Sequence, residues 1–192
     1  MRSSAVSEAN EARLLEYGYR FEPSAMSSPA ERPEAYKDSG LFDEDFSFEH
    51  AEAPTAVSDA NGRELRGVGD NVVTHAQNLV GTARYVRTTD KVLECLTGGV
   101  ADGTIAIVDD SGGTLTAPVL EKFSGVLCAG GTARSHLAIL TREYNIPCLM
   151  NAKLSGIRDG DRLEVEVTAK AKTADDYSAN REVVARVWRL AQ

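Results

Sequence analysis

Residues 130–148 read GGTARSHLAILTREYNIPC, and few local structures accommodate that order. Two glycines and small residues make a turn. A helical pattern starts at once with the apolar positions Leu137, Ile139 and Leu140, followed by Thr141, Arg142 and Glu143. Asn145 tolerates the left-handed conformation in which helices end, and Pro147 prevents a restart. His136 is therefore expected in the first turn of a short helix, directly behind a glycine turn. The first N–H groups of a helix lack partners within it and carry partial positive charge. A histidine placed there can offer an imidazole nitrogen to a phosphoryl group while backbone donors face the phosphate oxygens. A lone histidine at a helix start is most often an ordinary, partly buried one, so the surrounding residues decide.

Short elements with glycine punctuation flank this segment. Strands are expected over 64–69, 71–74 and 79–86, the last by its alternation. Thr88 or Thr89 caps a helix over 90–96, which Gly98 and Gly99 close. The runs 104–108 and 125–128 are continuously apolar, as in strands buried on both faces. Pro118 opens a short helix through Phe123 between them. Beyond the histidine helix, 148–150 and 163–167 read as strands. Residues 175–191 read as a closing amphipathic helix with Val184, Val187, Trp188 and Ala191 as its stripe.

The string around His136 resembles the phosphohistidine signature of the PEP-utilising enzymes: phosphoenolpyruvate synthase, pyruvate phosphate dikinase and the first enzyme of the sugar phosphotransferase system. That signature runs G-G-x-T-S/C-H-A-A-I-x-A-R-E-x-G-I-P. The chain matches it at Gly131, Ser135, His136, Ala138, Ile139, Arg142, Glu143, Ile146 and Pro147, and Asn145 replaces the helix-ending glycine. The resemblance implies an α/β fold, a compact swivelling β/β/α phosphohistidine domain of layered sheets, over residues 61–170. It implies His136 as the catalytic phosphocarrier, with Gly131, Thr132, Arg134 and Ser135 at the phosphate and Arg142 orienting the site or a docking face. Arg134 stands where the family carries a threonine, so the phosphorylation control that plant dikinases exert there is not expected. Without a gap, Gly131 and Thr132 take the places of the family's two glycines; the alternative, pairing Gly130 and Gly131 with them, leaves one extra residue before the histidine. The family's T-x-P element is poorly matched by residues 111–116, so a phosphate contact by Thr114 or Thr116 is not implied.

Charge divides the chain. Residues 1–60 hold 13 acids and 5 bases, whereas 61–192 hold 16 of each. The first 60 residues also hold four of the six prolines and seven of the twelve aromatics. They read as an irregular acidic N-terminal arm, with a short helix over 7–19 and an apolar cluster of Leu41, Phe42, Phe46 and Phe48. Two readings stand for it: packing on its own domain, or docking a partner. Residues 171–192 are set apart as the C-terminal helix. The net charge of −8 makes nucleic acid and anionic membranes poor partners. No run approaches the ~20 apolar residues of a membrane span. The N-terminus has no apolar signal core, and the three scattered cysteines read as reduced core side chains, so a cytoplasmic protein is expected. His50 and His75 have no metal-ligand spacing.

The chain has no Walker-type loop and no clear acidic cluster for magnesium. The resemblance therefore implies a phosphoryl carrier subunit of a split dikinase-like phosphotransferase, as in phenylphosphate synthase, inactive without its partners. Nucleotide-binding and PEP- or pyruvate-binding subunits would hold Mg2+ and ATP or phosphoenolpyruvate, with no cofactor and no metal on this chain. The competing readings are a non-phosphorylated swivelling or lid subunit, as in the aconitase-like dehydratases, and a pure interaction module. The first leaves the S-H-x-A-I-x-x-R-E run unexplained, and the altered glycine pair is what keeps the second open.

Overall fold

The computed structural model describes residues 46–109 and 111–191. The helix expected over 7–19, and Leu41 and Phe42 of the apolar cluster, lie outside the described residues. The described end of the arm packs on its own domain. Phe46 and Phe48 meet the Tyr85 ring edge-on at 5.0 and 5.5 Å, and the Arg87 guanidinium lies 4.3 Å over Phe46.

The chain then builds β1 (Glu64–Asn71), β2 (Leu79–Tyr85), α1 (Thr89–Gly98), β3 (Thr104–Val108), a 3-10 helix (Ala117–Lys122) and β4 (Gly125–Cys128). There follow α2 (His136–Glu143), β5 (Cys148–Leu154), β6 (Arg162–Val165), α3 (Ala174–Ser178) and β7 (Ala185–Arg189). The class is α/β, as expected. The strands close into one barrel in the order β1-β5-β4-β3-β2-β6-β7. Pairings β2–β3, β3–β4 and β4–β5 are parallel, and the others are antiparallel. The resemblance implied layered sheets; here they join at both margins, because β7 pairs with both β1 and β6. Closure leaves no strand with an open row of N–H and C=O groups.

The parallel half explains the continuous apolar runs. Ile105 and Ile107 of β3 point into the barrel, where they meet Leu127, Leu149, Leu154 and Leu163. Ala106 and Val108 point outward, into a second core with Val92, Cys95, Leu120, Phe123 and Leu137 from the covering helices. A strand buried on both faces needs no polar alternation. All three cysteines are buried. Burial pushes the Cys148 thiol up to about 12, which leaves it a neutral packing group.

Two expectations are corrected. The closing helix over 175–191 is instead the short α3 followed by β7. Thr173 and Asp176 form a reciprocal capping box that starts α3. The helix stops after one turn, and Asn180 then takes a left-handed φ of 48°. The spacing of Val184, Val187, Trp188 and Ala191 imitates a helical stripe, but the segment is β-rich and period two governs it. Ala185 and Val187 enter the barrel, while the Trp188 indole donates to Glu166 at 2.9 Å under the Arg63 guanidinium. The strand expected over 148–150 also continues to Leu154. Asn151 sits at φ 49° where the β1–β5 register shifts, so the strand bulges there rather than ends.

Candidate functional site

The parallel strands β2, β3 and β4 deliver their C-terminal ends to one side of the barrel, where crossover loops of such sheets carry ligand sites. The loop after β4 is stitched in place from the start. Ala129 N–H donates to Val108 O at 2.8 Å, and Gly130 O accepts from Asn151 N–H of the β5 bulge at 3.0 Å. Gly131 follows at φ 71°. A Cβ there would lie 2.5 Å from Ser111 Cβ, 2.6 Å from Ser135 Oγ and 2.9 Å from Met150 Cε, so both the dihedral and the space require glycine.

Residues 132–135 form a tight turn. Ser135 N–H donates to Thr132 O at 2.9 Å, Thr132 N–H donates to Ser135 Oγ at 2.9 Å, and Arg134 N–H donates to Thr132 Oγ1 at 3.2 Å. Ser135 is the residue before α2, yet its side chain does not cap that helix. Leu137 N–H donates to Ser111 O at 3.2 Å. The N–H groups of His136 and Ala138 take no hydrogen-bond partner among the described residues. His136 is the first residue of α2 and is exposed. The other end of α2 closes as its sequence predicts, with Asn145 at φ 54° and Ile146 N–H donating to Thr141 O at 2.8 Å.

The sequence-predicted residues therefore meet in one loop and one helix. Gly131, Thr132 and Arg134 are exposed, Ser135 is half-buried, and His136 stands beside them. Thr132 spends its N–H inside the turn. The Arg142 guanidinium reaches back along α2 and donates to Ala133 O at 2.7 Å. Ser111, whose carbonyl supports the helix start, belongs to the poorly matched element, in which Thr114 is exposed and Thr116 is buried with an unpartnered hydroxyl.

Sequence reasoning missed a second layer. Ala133 N–H donates to Tyr177 Oη at 3.1 Å, and that hydroxyl donates to Asp70 Oδ2 at 2.7 Å. Asp70 is buried at the end of β1, and its Oδ1 accepts from Lys172 Nζ at 2.9 Å. Burial, with the Asp70 carboxylate adding to it, pushes the Tyr177 phenol up to about 12. The signals were an aspartate joining two strand-like runs that form one strand, and a T-x-x-D box too close to Asn180 for a long helix. Among the described residues, no group of three or more histidine, cysteine or acidic side chains is placed to hold a metal, and no helix is long and apolar enough to cross a membrane.

Residues 100–170 match the family model described as PEP-utilising enzyme, mobile domain. The likeness read from the residues is thereby shown. The mobile-domain match takes in β3 to β6 together with the His136 loop and α2. It leaves out β1, β2, α1, α3 and β7, and hence Asp70, Lys172 and Tyr177. No curated protein matches the chain.

Proposed function

We propose that this chain is a phosphoryl carrier in which His136 is transiently phosphorylated. The observation that carries the reading is an exposed imidazole at the first position of α2, inside the segment that matches the PEP-utilising mobile domain. In loading, an imidazole nitrogen attacks the donor's phosphorus. The bond from phosphorus to the donor's bridging oxygen breaks, and that oxygen leaves with the electron pair. In delivery, an acceptor oxygen attacks the same phosphorus and the N–P bond breaks, which restores the imidazole.

The chain's own residues hold the anion between these steps. The His136 N–H, without a partner among the described residues, is the donor that the exposed start of α2 offers, whereas the Ala138 N–H is sealed in the core. Charge placed at such a helix end gains on the order of 0.3–1 kcal/mol when exposed. The Ser135 hydroxyl keeps its own proton to donate, because its oxygen is the acceptor in the bond to Thr132. Arg134 adds charge-assisted donors of the kind that suit phosphate. Gly131 and Thr132 shape the turn, and Arg142 orients it. ATP or phosphoenolpyruvate, with Mg2+, is the donor on a partner subunit. The domain swivels between that subunit and one of the PEP- or pyruvate-binding type, as the mobile part of a split dikinase-like phosphotransferase. Pyruvate, a phenol, another enol or a protein all suit the delivery chemistry, since the acceptor pocket belongs to another chain.

The test is labelling of the full chain in a lysate of its source cells with radiolabelled ATP or phosphoenolpyruvate. An acid-labile, base-stable phosphate should map to His136 and vanish in His136→Ala. Equal labelling of His136→Ala removes the carrier reading.

A further inference from the structure

The loop before α2 exposes Gly131, Thr132 and Arg134, but Ala133 in its middle is buried, with 8% of its surface accessible. Both polar groups of Ala133 are held by side chains from elsewhere. Tyr177 Oη takes its N–H and Arg142 Nη1 binds its C=O. The tyrosine is itself fixed. Its hydroxyl donates to the buried Asp70, its ring lies 4.6 Å beneath the Lys172 ammonium, and Lys172 N–H donates to Asn71 O at 2.9 Å. One chain of bonds thus runs from the end of β1, through α3, to the residue three before His136.

A half-buried tyrosine with a purely packing role needs only one polar partner for its hydroxyl, and Asp70 already supplies it. The second bond, to Ala133, ties α3 to the loop. It has two consequences. It removes the Ala133 N–H from the set that can bind an anion. It also fixes the Thr132–Ser135 turn from below. We propose that Tyr177, held by Asp70 and Lys172, is a positioning residue that works with Arg142 to set the phosphate-accepting geometry of Ser135 and His136. The proposal rests on the carrier reading of His136. Its residues on β1 and α3 lie outside the segment that matches the mobile domain.

The test loads the purified full chain with phosphoramidate, which needs no partner. The imidazole nitrogen attacks phosphorus, the reagent's P–N bond breaks, and ammonia leaves. Phosphorus NMR follows the rate and the lifetime of the phosphohistidine, peptide mass spectrometry assigns it, and amide exchange of Ala133 reports the clamp. Tyr177→Phe should load His136 about fivefold more slowly, the factor that follows from losing one hydrogen bond's net worth of ordering, with faster Ala133 exchange. Arg142→Ala should do the same, and Arg142→Lys should recover part of the rate. Absence of phosphate on His136 in the wild-type chain, with other histidines labelled, would overturn the carrier reading itself. Wild-type loading and an unmoved Ala133 amide in Tyr177→Phe would overturn the positioning role alone. Should Tyr177→Phe not fold, Arg142→Ala decides from the other polar group of the same residue: wild-type loading there overturns the proposal.

Discussion

Replacing Gly131 with alanine tests whether the loop before α2 is as tightly built as its geometry indicates. Two costs add. At φ 71° an L-residue stands in the left-handed region, which costs about 1–2 kcal/mol. The new Cβ would also lie 2.5 Å from Ser111 Cβ and 2.9 Å from Met150 Cε. Neither neighbour yields freely: Met150 is fully buried, and Ser111 is bonded through its carbonyl to Leu137 N–H. Overpacking of this kind costs about 1–3 kcal/mol. The total, roughly 3 kcal/mol, is a large part of a typical domain's stability. Gly160 separates the two terms, because at φ 89° it has nothing within 4 Å of its Cβ. Gly160→Ala should lose the backbone term alone. In calorimetric melts the midpoint should fall by about 10 °C for Gly131→Ala and about 5 °C for Gly160→Ala, at roughly 3 °C per kcal/mol for a chain of this size. Equal losses would show that Ser111, Ser135 and Met150 do not crowd the turn.

Two further outcomes follow. Val187 is fully buried in the barrel and Val184 is 39% exposed. Val187→Ser should cost about 3 kcal/mol in urea unfolding and Val184→Ser under about 0.5; equal costs would restore the helical stripe. The Asp176 carboxyl is held well below the usual carboxylate range, first by the Thr173 hydroxyl and backbone N–H and then by Arg181. A depressed folded-state pKa contributes stability that is fully present above about pH 4 and is lost as pH falls through the folded value. Asp176→Asn should therefore melt lower than the wild type at pH 7, with the gap narrowing below about pH 4; a gap of constant size would show that geometry, not charge, holds the box.

Much of the centre of the chain was legible because local and global preferences agree there. The runs of β3 and β4 are apolar on both faces, and the structure buries both faces. The glycine turn before it and Asn145 and Pro147 after it bracket α2 by backbone chemistry that needs no tertiary partner. The C-terminal segment was illegible for the opposite reason. In β7 Val187 faces the barrel, but Trp188 on the other face is also covered, by Arg63 and Glu166. Coverage on both faces destroys the alternation that marks a strand, and the chance spacing of 184, 187, 188 and 191 supplies a helical pattern in its place. The β5 bulge was hidden similarly. Asn151 reads as a strand end unless Gly130 O is known to meet its N–H.

The same long-range pairing explains why the layer beneath the loop escaped detection. Asp70 and Tyr177 are 107 residues apart and meet because β1 and β7 are neighbours that close the barrel. Neither residue carries a motif. The segment from β3 to β6 contains the histidine and its helix, but without β1, β2 and β7 only β3, β4 and β5 stay joined, as an open sheet, and β6 has no strand to pair with. Lys172 and Tyr177 lie on the connection between β6 and β7, the connection that closure draws across the end of β1. Closing the barrel and setting the Ala133 peptide therefore depend on one segment. A chain that positions its loop in this way makes the loop's geometry depend on the integrity of the whole barrel, although the residues of the signature occupy a single turn and a single short helix.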